Sequence, residues 1–110
     1  MREQYVTITG FDHYLGKIPF KIGKQLKCRK EPSNFYDSEA IKVYTSRWGT
    51  VGYIANSTWT VATGTKSAGG IAHMMKKKFK VEVIFMTQSK IICKVIDGFQ
   101  GEESNKIIKP

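Results

Sequence analysis

The chain has 110 residues, enough for one domain and too few for two. A hydrophobic content of 41% with mixed charge excludes a disordered segment, and no apolar run approaches the roughly 20 residues of a membrane-spanning helix. Lys and Arg number 18 against 9 Asp and Glu; the formal net charge of +9 points to a polyanionic partner.

Tyr5 to Thr9 is β-branched and aromatic, which predicts a strand that Gly10 ends. Phe11 to Gly16 reads as an aromatic loop. From Ile22 to Cys28, residues Ile22, Leu26 and Cys28 share one parity, while Gln25, Lys27 and Arg29 share the other. That alternation predicts a half-buried strand with a basic outer face. Lys24 interrupts the inner parity, as a bulge or a strand end would. A turn-rich segment from Glu31 to Ala40 follows. Ile41, Val43 and Thr45 then alternate with Lys42 and Tyr44, giving a third strand. Arg47-Trp48-Gly49 reads as a hairpin connection to a fourth, Thr50 to Ile54.

Asn56 or Ser57 is expected to cap a helical turn ending at Gly64. Ser67 opens a second helical stretch running to Met75. Gly69 and Gly70 weaken it by about 1 kcal/mol each relative to alanine, so a close approach by another group is expected there. Lys76-Lys77-Lys78 leads into a strand from Phe79 to Phe85. Thr87-Gln88-Ser89 connects that strand to a last one, Ile91 to Ile96. The fold class expected is mainly β: a small OB-like six-stranded antiparallel barrel, with one or two short helices after the fourth strand. The domain is expected over residues 1–97. A tail from 98 to 110 follows, in which Ile107 and Ile108 are able to dock as an edge segment.

Cys28 and Cys93 are far apart and read as reduced, buried thiols. His13 and His73 lack ligand spacing, so neither a metal nor another cofactor is expected. The opening Met1-Arg2-Glu3 does not read as a secretion signal, and a cytoplasmic location is expected. Asn56-Ser57-Thr58 matches a glycosylation acceptor, but without an export signal capping is the preferred reading. No Gly-rich Lys-Ser/Thr phosphate loop occurs, so no ATPase chemistry is expected of these residues.

The segment Glu31-Pro32-Ser33-Asn34-Phe35-Tyr36-Asp37 is unusual in so basic a chain. Pro32, Ser33, Asn34 and Asp37 are turn formers. Phe35 and Tyr36 are not; they are either a hydrophobic lid or a stacking surface. Ionised Asp37 offers only acceptors. Basic residues gather at Lys21, Lys24, Lys27, Arg29 and Lys30, and again at Lys76, Lys77, Lys78 and Lys80.

Three blocks in order resemble the HIRAN domain family. They are Ile8-Thr9-Gly10-Phe11-Asp12-His13-Tyr14-Leu15-Gly16; Arg29-Lys30-Glu31-Pro32-Ser33-Asn34-Phe35-Tyr36-Asp37 continuing to Val43; and Val51-Gly52-Tyr53-Ile54. The resemblance spans roughly residues 4 to 97, and the middle block is its most specific part. The segment from Ala55 to Met75 looks more like the stand-alone bacterial members. The resemblance implies an OB-like barrel. It also implies binding of single-stranded DNA with capture of its free 3′ end, as in members appended to eukaryotic Swi/Snf-type ATPases.

Carried onto these positions, the resemblance implies that Asp37 accepts a hydrogen bond from a 3′-hydroxyl. An internal phosphodiester or a 3′-phosphate would be repelled. Tyr14 and Tyr36 would stack on the last bases, and Asn34 would either bond a base edge or hold the turn. His13 stands where the best-known members have tyrosine, Asp12 where a basic residue is common, and Phe35 where proline is usual. Tyr53 replaces a histidine, and Asn56 lies near a basic position. The nucleic-acid-binding set expected is therefore His13, Tyr14, Arg29, Lys30, Asn34, Phe35, Tyr36, Asp37, Tyr53 and Asn56, with no catalytic residue. The expected partner is single-stranded DNA or its 3′ end, in a DNA-repair setting. The alternatives are RNA or internal single strands, and a protein adaptor anchored by Trp48, Trp59 and Phe99. A magnesium-dependent nuclease using Asp12, Glu31, Asp37 and Glu39 is the weakest alternative.

Overall fold

Alternation of apolar and polar residues builds the first strand pairs. The computed structural model describes residues 3–101. Six strands form: β1 (Tyr5–Thr9), β2 (Gln25–Lys30), β3 (Ile41–Thr45), β4 (Gly49–Ile54), β5 (Met75–Met86) and β6 (Ile91–Phe99). All pair antiparallel and close into a barrel in the order β1-β4-β3-β2-β5-β6. Closure leaves the sheet without a free edge. The inward parity of β2 and β5 supplies Leu26, Cys28, Phe79, Val81 and Val83 to the core, all at most 3% exposed. Each such side chain contributes roughly 1.5–3 kcal/mol by leaving water.

One short helix, α1 (Ala68–Ala72), follows β4, and a single 3-10 turn at Phe11–His13 follows β1. Ser67 caps α1 by accepting from the Gly70 N–H at 3.0 Å, as its sequence position suggests. The close approach that two glycines suggest is made by Glu39. A Cβ at Gly69 would stand 2.7 Å from the Glu39 Oε1. The segment from Ala55 to Lys66 covers β1. Its Ala62 N–H donates to Thr7 Oγ1, and Thr7 Oγ1 also bonds Thr65 Oγ1, so Thr7 is buried although its parity points outward.

Four expectations are corrected. β2 starts at Gln25 rather than Ile22, because Lys24 closes a turn onto the Lys21 carbonyl; Ile22 is left 61% exposed. The helical turn expected to end at Gly64 is shorter: the Ser57 carbonyl accepts from the Thr60 and Val61 N–H, and the turn goes no further. The lysines at 76–78 belong to β5, where Lys78 pairs opposite Arg29. β6 runs on to Phe99, past the Ile96 expected as the end of the last strand. Gly98 makes that extension possible. It has φ +98°, and a Cβ there would lie 2.4 Å from Phe79 Cβ. Ile107 and Ile108 lie outside the described residues. Of the proposed adaptor anchors, Trp59 is 90% exposed, but Trp48 and Phe99 pack against the core.

Candidate nucleic-acid interface

The connection from β2 to β3 is a loop whose ends are tied together: the Glu31 N–H donates to the Ala40 carbonyl at 2.8 Å. Inside it, Asn34 organises the backbone. Its Oδ1 accepts from the Tyr36 N–H at 2.9 Å and the Asp37 N–H at 3.0 Å. Its Nδ2 donates to Glu31 Oε1 at 3.0 Å. The same Glu31 oxygen accepts from the Tyr53 hydroxyl at 2.9 Å, and Lys42 stands 3.9 Å from the other. Glu31 thus binds the loop to β3 and β4. Burial pushes the Tyr53 phenol well above its ordinary pKa, and Glu31 and Tyr14 push the same way. Tyr53 stays a protonated donor.

Asp37 is held from two sides. Its Oδ1 accepts from the Glu39 N–H at 2.9 Å, and its Oδ2 accepts from Asn56 Nδ2 at 3.0 Å. Asn56 Nδ2 also reaches Glu39 Oε1 at 3.1 Å, and its Oδ1 accepts from the Gly69 N–H at 2.9 Å. Asn56 therefore ties the loop to α1. A carboxylate has about four lone-pair sites, so two remain on Asp37 for another donor.

The result is a cleft of roughly 550 Å³ whose walls include Tyr14, Asn34, Tyr36, Asp37, Tyr53 and Asn56. Tyr36 is 92% exposed and meets Phe35 edge to face, with ring centroids 5.2 Å apart. A depression of roughly 470 Å³ adjoins it, walled by Arg29, Lys30, Lys42 and Lys77 and sharing Asn34 and Tyr53. Among the described residues, no group of three or more His, Cys, Asp and Glu is placed to hold a metal ion.

Comparison with known families decides the kinship. The model of the HIRAN domain matches residues 1–88. The chain belongs to the HIRAN family. Two solved structures share its fold. One is the HIRAN domain of human HLTF, at TM-score 0.64 and 18% identity, over 96% of this chain and 82% of that one. The other is a protein from Lactobacillus plantarum, at TM-score 0.59 and 17% identity, over 90% of this chain and 98% of that one. None of the curated proteins matches the sequence.

In this HIRAN domain, six of the ten expected site residues meet in the cleft, and Arg29 and Lys30 wall the adjoining depression. Lys30 spends a hydrogen bond on the Met75 carbonyl at 2.7 Å, while Arg29 points outward from β2. His13 is exposed at the end of the 3-10 turn and Phe35 is 91% exposed beside Tyr36; neither lines the cleft. Sequence reasoning gave Glu31 and Glu39 a place only in the nuclease alternative, and expected a close approach at Gly69 without naming the group that makes it. The Glu-Pro-x-Asn spacing holds a signal for Glu31, since a side chain three residues before Asn34 is within reach of its amide. Nothing local announces that Glu39 meets Gly69.

Proposed function

We propose that this HIRAN domain binds single-stranded DNA and seats a free 3′-hydroxyl end in the Tyr14–Asp37–Asn56 cleft, without catalysis of its own. The observation that carries this reading is Asp37. A carboxylate held in place in a tyrosine-walled cleft, inside a chain of net charge +9, is ill suited to an internal phosphate. It suits a hydroxyl donor. Tyr36 and Tyr14 offer rings to the terminal bases, each stack worth about 1–3 kcal/mol. The family membership favours a role in DNA repair, and the two free, buried cysteines suit a reducing compartment such as the cytoplasm.

Linear and circular single strands of one sequence test the need for an end. The linear strand is expected to bind at least roughly tenfold more tightly at moderate salt. Equal binding would favour the second reading, a general binder of single strands or RNA. That reading draws on Asn34 and Asp37, whose side chains already complete hydrogen bonds within the protein.

A further inference from the structure

The outer surface of β3, β2 and β5 carries cations in register. Arg29 lies opposite Lys42 on β3 and opposite Lys78 on β5. One step along, Lys27 lies opposite Tyr44 and Lys80. The burial pattern turns Lys27, Arg29, Lys78 and Lys80 to solvent. Like charges directly opposite one another destabilise a sheet. Here three such pairs adjoin, and among the described residues no ion pair reaches any of these four side chains. Lys27 has only a hydroxyl partner, Ser46 Oγ at 3.0 Å. Lys42 stands 3.9 Å from Glu31 and Lys80 lies opposite Asp97 on β6, but Lys27, Arg29 and Lys78 have no carboxylate within ion-pair reach among the described residues.

The array is continuous with the cleft. Arg29 and Lys42 also wall the depression that shares Asn34 and Tyr53 with it. The surface differs from the cleft in one respect. Among the residues paired across β3, β2 and β5, the one ring not in the core is Tyr44, which has Lys42 Nζ 5.4 Å from its centroid; exposed Phe85 lies on β5 beyond the residues paired with β2. A single strand gains from stacking its bases on rings, whereas a duplex shields its bases and presents phosphates.

We infer that the β3-β2-β5 face is a phosphate-binding platform for the duplex that flanks a 3′ single-stranded tail. The platform rests on the proposed seating of the strand end, because the tail sets where the duplex begins. It makes only backbone contacts and reads no sequence.

The test compares wild type with the double variant Lys27→Ala/Lys78→Ala. These two residues come from different opposed pairs and lie outside the cleft. Two probes are used across a salt series: a short single strand ending in 3′-hydroxyl, and the same strand as a tail on a duplex. Wild type is expected to bind the tailed duplex roughly tenfold more tightly than the tail alone. The variant is expected to lose most of that gain. Its salt slope on the tailed duplex should fall by about 2, with the slope on the tail alone unchanged. Relief of like-charge repulsion predicts that it melts no lower than wild type, so a folding defect is separable. No gain from the duplex in wild type, no loss in the variant, or an equal loss on both probes would each overturn the platform. The ratio of affinities for 3′-hydroxyl and 3′-phosphate tails reads the cleft separately. A ratio of one with the duplex effect intact would refute the end-seating and leave a platform that needs no end.

Discussion

At the scale of residues, two glycines separate two meanings of a missing Cβ. At Gly98 the backbone has φ +98° and a Cβ would collide with Phe79 and with the Lys78 carbonyl at 2.9 Å. Neither obstacle is free to move. Gly98→Ala is expected to destabilise by roughly 3 kcal/mol or more, from strain and overpacking together. At Gly69 the obstacle is the far end of Glu39. That carboxylate can swing out, and alanine favours the helix by about 1 kcal/mol. Gly69→Ala is therefore expected to leave the unfolding free energy, read by denaturant titration, within about 1 kcal/mol of wild type.

Tyr53 gives a pH prediction of the same local kind. Its folded pKa is raised, first by burial and then by the bond to Glu31. The protonated phenol is thus favoured by the fold. Its contribution is complete below about pH 10, the unfolded value, and is lost as pH rises toward the folded value. In an alkaline absorbance titration Tyr53 is expected to give the most alkaline step, and Tyr53→Phe to remove it. Persistence of that step in the variant would reassign it.

At the scale of elements, the site depends on Asn56 joining the 31–40 loop to α1. Asn56→Ala removes three hydrogen bonds at a part-exposed position, and is expected to cost about 1–2 kcal/mol. Discrimination between 3′-hydroxyl and 3′-phosphate strands is expected to drop much further than overall affinity. A uniform drop for both strands would make Asn56 a general support only. What was legible at this scale follows from distance along the chain. β1 read correctly from its β-branched and aromatic content and β3 from its alternation, both local signals, and Ser67 announced α1. The lysines at 76–78 read as a connection because charge runs do not favour strands; pairing with β2 overrode that preference. The loop's turn formers showed that a turn was there. Its attachment to Asn56, 19 residues beyond Asp37, was illegible because only the closed barrel brings the two together.

At the scale of the whole molecule, a closed barrel with net charge +9 favours a polyanionic partner, and the cleft that holds Asp37 is the proposed seat of the strand end. If about five cations neutralise phosphates of a single strand, the log of affinity should fall with the log of salt at a slope near −3.5. A slope near zero would mean that the cations around the cleft and its adjoining depression meet no phosphate of the strand. The most direct measurement is the affinity of wild-type protein for one short oligonucleotide carrying either a 3′-hydroxyl or a 3′-phosphate. Asp37 predicts that the hydroxyl strand binds at least roughly tenfold more tightly, as a terminal phosphate would face a fixed carboxylate. Equal affinity for the two would contradict the role given to Asp37.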